Sequence, residues 1–270
     1  MDSLVIVIEP TNPENRSVHS QVLAKLPNYF KQKGDYKNPS DVNAGPFQFA
    51  SGYKGTYFDW LEETPDQQEA FNRMMALTRL ERGEQWFEFF PTEERFGSMD
   101  PSAPLLVDVG GGLGHDLTAF HTKFPNLPGK LILQDLPVVI NNVKLDAAIE
   151  RIAHDFFQPQ PVRGAKAYYL RTVLHDWADT QAIEILKNIR DAMSADSILL
   201  LNENFLPEKD VPQYNAEVDF SMLAIFSSLE RTEKQWRALI EAAGLKVVKV
   251  WTPKLQLAAS ATLFEAVRAD

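Results

Sequence analysis

The segment 105-LLVDVGGGLGHDLTAF-120 constrains this chain more than any other: a hydrophobic run enters a cluster of four glycines and leaves as a helical pattern. Without a Cβ, Gly110, Gly111, Gly112 and Gly114 let the backbone turn sharply and pass within contact distance of a ligand. The N–H groups that open the following helix then face that ligand, which suits a nucleotide-like molecule. A dinucleotide fingerprint needs a glycine at 115, where His115 stands. The spacing is instead G-x-G-x-G after an acid, Asp108, which favours S-adenosyl-L-methionine over a nicotinamide dinucleotide. The bland alternative is a tight strand-to-helix turn that binds nothing.

Downstream of this segment short apolar runs alternate with longer amphipathic stretches. The runs are 105–109, 130–135, 149–155, 167–174, 197–203, 245–251 and 262–268. Several are apolar on both alternations, as strands covered on two faces must be. Between them, 179-DTQAIEILKNIRDAM-193 spaces Ile183, Leu186, Ile189 and Met193 about one turn apart behind an Asp179 cap. This alternation predicts an α/β fold with a doubly wound, mainly parallel seven-stranded sheet. The last two runs are separated by too little chain for a crossover helix, so they are expected to pair antiparallel at the sheet edge. Residues 1–100 differ, being rich in Pro, Asn, Glu and aromatics. There, only 64–90 reads as helical, with Thr64 and Pro65 as its cap and first turn. The expected organisation is a short helical and irregular front segment over 1–100 and a ligand-binding domain over 101–270.

Composition narrows the function classes. A formal charge of -10 disfavours nucleic acid and anionic lipid as partners. The absence of cysteine removes disulfides, thiolate nucleophiles and Cys-type metal sites, and fits a reducing compartment. Asp2 stands where a secretion signal needs positive charge, and the apolar run from Leu4 to Ile8 is too short for a membrane span. The expectation is a soluble, cytoplasmic protein, with the glycosylation-like triplet at Asn15 a chance match.

Chemistry-bearing residues gather at the ends of the predicted strands. Asp135 ends the second, 21 residues beyond Gly114, where a carboxylate can grip both hydroxyls of a ribose or simply cap a helix before Pro137. Asp155, followed by Phe156 and Phe157, ends the third, where an acid beside aromatic rings suits an adenine. His175 follows the fourth, and an imidazole is able to accept a proton near neutral pH. Glu203 ends the fifth after four apolar residues, a costly position for an unpartnered carboxylate. Glu230 stands just ahead of a predicted helix. His19, His115, His121 and His154 read as ordinary surface or core residues.

The stretches VDVGGGLG, QDLP, HDFF, LRTVLHDWAD, NENFLP, DFSMLAIFSSLERTEKQW and FDWLEETPDQQEAFNRMM together resemble the S-adenosylmethionine-dependent O-methyltransferases of the caffeic acid and flavonoid type, especially their fungal secondary-metabolism relatives. The likeness runs over roughly 20–268, and the HDW and ERTE signatures are specific to that family. It implies transfer of a methyl group to a hydroxyl of a small aromatic or polyketide-type metabolite. His175 would be the general base, flanked and oriented by Glu203 and Glu230. Asp108, Gly110, Gly112, Asp135, Leu136, Asp155, Phe156 and Arg171 would serve the cofactor. Met75, Asp176, Met222 and Phe226 would line the acceptor site, and no metal is used. Members of the family usually open with a helical dimerisation domain, whereas here only 104 residues precede Leu105. The segments 21–30 and 46–61 resemble the linker before the cofactor domain. The acceptor pocket is then expected to be more open, completed by a homodimer mate or other partner chain, or no longer catalytic. Two rival readings stay open: a non-methylating enzyme that uses the same cofactor, such as a pericyclase or decarboxylase, and a truncated non-catalytic paralogue.

If the acceptor is a phenol of pKa about 10, moving its proton to an imidazole of pKa about 6.5 is uphill by roughly 5 kcal/mol. A carboxylate behind the imidazolium and a cation beside the forming phenolate both act to offset that cost.

Overall fold

The computed structural model describes residues 18–80, 83–255 and 261–269. The apolar run Leu4 to Ile8 and the Asn15 triplet lie outside these residues. Seven strands form one sheet: β1 (Pro104–Val109), β2 (Lys130–Asp135), β3 (Ile149–Ala153), β4 (Ala167–Arg171), β5 (Ile198–Glu203), β6 (Leu245–Trp251) and β7 (Thr262–Arg268). Their order is β3-β2-β1-β4-β5-β7-β6. The first five pair in parallel, whereas β7 runs antiparallel to both β5 and β6. The predicted architecture and its antiparallel edge are therefore present.

The central strands are buried on both faces, with every residue of β5 buried. One face packs against α9 (Asp179–Arg190), through Ala182, Ile185, Leu186 and Ile189. It also packs against α11 (Glu233–Ala242), through Trp236, Leu239 and Ile240. Such i, i+3, i+4, i+7 spacing makes one apolar stripe per helix. The other face takes α7 (His115–Lys123) through Leu117 and Phe120, together with Trp86, Phe87, Phe90 and Phe96 from the front segment. Trp86 lies flat on Phe120, with ring centroids 5.4 Å apart.

Two local expectations need correction. Asp179 is the first helical residue of α9 and Ala178 its cap; the Asp179 carboxylate instead accepts from Arg231. The front segment is far more helical than its turn residues suggested. It holds α1 (Val18–Lys33), α2 (Pro46–Ser51), α3 (Tyr57–Glu63), α4 (Pro65–Leu80), α5 (Trp86–Phe89) and α6 (Thr92–Phe96). Pro65 opens a helix as expected, and so does Pro46, because a first-turn N–H has no intrahelical partner to lose. The hydroxyl of Thr64 caps backwards, donating to the Trp60 carbonyl of α3. The expected helix over 64–90 is divided: α4 ends at Leu80, Gly83 follows with a positive φ, and α5 begins at Trp86.

α2 and α3 seat on the segment after β5, where α10 (Gln213–Ser221) runs into a wider π-type turn at Met222–Phe226. The fit is close enough that a Cβ on Gly45 would lie 1.7 Å from Ser227 Oγ. The front segment thereby forms one side of the cleft described next.

Candidate active site

Strand order reverses at β1, whose two neighbours β2 and β4 lead away in opposite directions. Open α/β sheets bind ligands at that switch point, outside the carboxyl ends of the strands. The glycine turn sits there. Gly110 and Gly111 both donate to the Gln134 carbonyl at 2.8 and 3.1 Å, which folds the turn back over β2. Gly111 has no room for a side chain, since a Cβ would fall 2.5 Å from Asp108 and Leu133. Gly112 has φ +58 and faces open space where a side chain would stand. The turn is thus sealed below by Asp108 and open above, a cradle that any Cβ at 112 would narrow.

Asp135, at the tip of β2, accepts from Gly112 N and from Leu136 N, each at 2.8 Å. Burial raises its pKa, and these two N–H groups work against that rise. Both oxygens keep lone pairs, so two adjacent hydroxyls fit the carboxylate. Asp155 lies two residues beyond β3 and closes a turn by accepting from Phe157 N at 2.9 Å. Phe156 is beside the cradle: a Cβ on Gly110 would be 3.5 Å from its ring edge. These residues suit a ribose joined to a flat heterocycle. Arg171 Nη1 donates to Asp116 in the first turn of α7 at 2.6 Å. It braces the helix that carries the glycine turn.

His175 stands in a short 3₁₀ turn, Leu174–Asp176, directly after β4. Its Nδ1 lies 2.5 Å from Glu230 Oε1, and its Nε2 lies 3.5 Å from Asp176 Oδ1. The side chain is 12% exposed and that of Glu230 only 2%. Burial alone would push the imidazole pKa down. Asp176 and Glu230, with a smaller effect from Glu203, outweigh it and hold His175 up at about 10. The same burial raises Asp176 to about 6 and Glu203 to about 7.

Glu203 does not touch the ring. Its Oε1 accepts from Val173 N and Leu174 N at 3.1 and 2.9 Å, and so fixes the chain that carries the base. The turn is strained where it leaves the sheet, Thr172 having φ +46. A β-branched residue there costs of order 1–3 kcal/mol and persists only where its surroundings over-determine it. Sequence reasoning missed the groups that do so. Arg231, 1% exposed, donates to the carbonyls of Leu174 and Trp177 at 3.0 and 2.8 Å, and also to Asp179. Ser228 donates to the His175 carbonyl at 2.6 Å. Asp219 accepts from Glu230 N at 2.9 Å. The one signal for Arg231 was its place between Glu230 and the Thr232 cap of α11.

Asp176 and Phe226 share a small pocket with Tyr57, Phe58 and Trp177. Trp177 is common to two neighbourhoods, stacked on Phe58 at 5.9 Å and edge-on to Phe156 and Phe157 at 5.8 and 4.7 Å. Met222 is buried and Met75 lies on the exposed side of α4; neither lines this pocket. Among the described residues no group of His, Asp and Glu is arranged to hold a metal ion. No described helix is long and apolar enough to cross a membrane.

Sheet order, glycine turn and carboxyl-edge site define the Rossmann-like methyltransferase fold. The chain belongs to the O-methyltransferase domain family, whose model matches residues 39–246. It is 40% identical over 233 residues to methyltransferase cfoC of Aspergillus candidus, covering 84% of this chain and 57% of that protein. It is also 40% identical to the demethylsterigmatocystin 6-O-methyltransferase of Aspergillus flavus, covering 86% of this chain and 60% of that enzyme. The chain therefore spans about three fifths of the length of these relatives. Among solved structures, LepI in complex with SAM superposes with a TM-score of 0.83 at 34% identity, over 92% of this chain and 64% of that one. OxaC in complex with sinefungin and meleagrin superposes with a TM-score of 0.82 at 32% identity, over 93% and 63%.

Proposed function

We propose that this chain methylates a hydroxyl, most simply a phenolic one, of a small aromatic or polyketide-type metabolite, with S-adenosyl-L-methionine as donor and His175 as general base. One observation carries the reading: a buried imidazole whose Nδ1 is held by Glu230 at 2.5 Å has its Nε2 3.5 Å from Asp176, a residue that lines a small pocket with Tyr57, Phe58, Trp177 and Phe226. S-adenosylmethionine supplies an electrophilic methyl group on a sulfonium and leaves as the neutral thioether. In this reading Gly110, Gly112, Asp135, Leu136, Asp155 and Phe156 hold its ribose and adenine, while Asp108 and Arg171 support the turn. His175 Nε2 takes the hydroxyl proton as the oxygen attacks. Glu230 keeps the resulting imidazolium in place, and Asp176 and Phe226 belong to the acceptor side.

The energetic demand is met by the same residues. With His175 held at about 10 rather than 6.5, the gap to an ordinary phenol nearly closes. The same carboxylates favour the protonated form of His175 at neutral pH. A cofactor that carries positive charge, if held near His175, would lower its proton affinity.

Residues 1–100 act in this reading as part of an acceptor-lid region, and 101–270 as the catalytic domain. A second copy or partner chain completing the acceptor side is supported by Leu23, Met74 and Leu77, which α1 and α4 leave exposed. A cytoplasmic location is supported by the lack of cysteine. A non-methylating reaction has its own support, since this chain is 34% identical, with a TM-score of 0.82, to a solved structure described as a pericyclic reaction enzyme. Product mass separates the two. A gain of one methyl group with release of S-adenosylhomocysteine supports methylation, and a product of unchanged mass supports the alternative.

A further inference from the structure

Behind the cofactor cradle stands a polar pair that neither the base nor the ligand-facing residues use. Gln134 and Gln160 are both buried. Gln134 Nε2 donates to Gln160 Oε1 at 2.8 Å, and Gln160 Nε2 donates back to Gln134 Oε1 at 2.7 Å. Gln160 Oε1 also accepts from Val162 N at 3.0 Å. The setting is apolar: Ile132, two residues before Gln134 on the same face of β2, and Val162 belong to one hydrophobic cluster. Two amides buried there cost free energy that two apolar side chains would not. A fully paired amide dimer has a single register, however, whereas apolar side chains can slide past one another.

What the pair connects is specific. Gln134 is the next-to-last residue of β2; its carbonyl is the acceptor for Gly110 and Gly111, and Asp135 follows it. Gln160 closes the loop that carries Asp155 and Phe156. That loop is fastened at its start by His154 N, which donates to the Asp135 carbonyl at 2.9 Å. Farther along, Asn188 Nδ2 of α9 donates to the Phe156 carbonyl at 3.1 Å. The amide pair is the third fastening. Glycine turn, ribose carboxylate and aromatic loop therefore share Gln134 as an anchor.

We infer that Gln134 and Gln160 are positioning residues: their amide pair holds the 154–160 loop at the distance from β2 at which Asp155 selects adenine over other purines. The inference rests on the cofactor reading above and deepens it, since base selectivity then depends on groups that never touch the ring. One oxygen of Asp155 accepts from Phe157 N, and a carboxylate has a second to offer. Fixed in place, that oxygen accepts the exocyclic N–H of adenine and repels the carbonyl that hypoxanthine carries at the same position. A loop free to shift meets the ring N–H of hypoxanthine instead, and the distinction fades.

Calorimetric titration of the whole chain with S-adenosylhomocysteine and S-inosylhomocysteine tests this, and reads binding without turnover. The parent is expected to prefer the adenine compound about 10-fold or more, the range of a hydrogen bond to a charged group. Gln134→Met/Gln160→Met exchanges both amides for apolar chains of similar shape and leaves neither unpaired, so it should stay folded. Its preference is expected to shrink to roughly threefold or less. Gln160→Met alone, which leaves Gln134 buried without its partner, should show the same loss together with a lower melting temperature. A role confined to folding would lower the melting temperature and leave the ratio of the two affinities as in the parent. A parent that binds S-adenosylhomocysteine without preference, or variants that keep the parent's ratio, overturn the inference alone. A parent that binds neither compound overturns the cofactor reading and this inference with it.

Discussion

Glu203 Oε1 accepts the backbone N–H of Leu174 at 2.9 Å, so this acid supports the candidate base through the chain rather than through the ring. Of these two acids it is Glu230 that contacts the imidazole, at Nδ1. The two acids that the sequence presents as a flanking pair therefore do different work, and they should fail differently.

Glu203→Gln keeps an oxygen that accepts from Val173 and Leu174, and should retain most activity and stability. Glu203→Ala leaves both buried N–H groups unpaired and should cost about 2–4 kcal/mol of folding stability. Denaturant unfolding of the two variants checks this. Equal loss in both would show that the negative charge, not the acceptor oxygen, is what matters.

Glu230→Gln should change the pH profile. His175 is raised chiefly by Asp176 and Glu230, against burial, and catalysis needs its neutral form. Removing one of these charges lowers its pKa, so the acid limb of kcat/KM should move to lower pH. The plateau rate should fall roughly 10-fold or more, since proton transfer from a phenol becomes uphill again. An unmoved limb would detach Glu230 from the base.

Arg231→Met removes the guanidinium that spans the carbonyls of Leu174 and Trp177. Those carbonyls lose their buried partner, at a cost of about 2–3 kcal/mol. Asp179 is 69% exposed and rehydrates, so little of the penalty comes from it. Calorimetric melting should register the loss, and Arg231→Lys should restore part of it. A melting temperature equal to the parent's would mean that the 174–177 turn is held by other contacts.

Asp135→Ala removes the carboxylate at the cradle and should weaken S-adenosylmethionine binding roughly 10- to 100-fold. Gly112→Ala should weaken it as well, because φ +58 disfavours a side chain and the added Cβ enters the open cradle. Titration calorimetry measures both. Unchanged affinity in Asp135→Ala would take Asp135 out of the site.

Much of this arrangement is legible in the sequence, and the reason is specific. Strands buried on two faces announce themselves as apolar runs, and polar residues that end such runs, such as Asp135 and Glu203, must fall on one sheet edge. That logic brings Asp108, the glycines, Asp135 and His175 together without knowledge of any side-chain direction. It does not say what each carboxylate binds, which is why Glu203 reads as a partner of the ring. Contacts between distant segments are likewise invisible. Arg231 meets Leu174, and His19 meets Tyr57 38 positions away, only because whole elements pack. The helices of the front segment outside 64–90 were obscured by its wealth of Pro and Asn, although a proline such as Pro46 is at home in a first helical turn.

The account stands or falls on His175 as the proton acceptor. The direct measurement compares methyl-transfer rates of the parent and His175→Ala at saturating S-adenosylmethionine, with cofactor affinity determined in parallel. A rate reduced about 100-fold or more, with affinity within a few-fold of the parent, is the expected result. Equal rates in the two proteins would contradict the central claim.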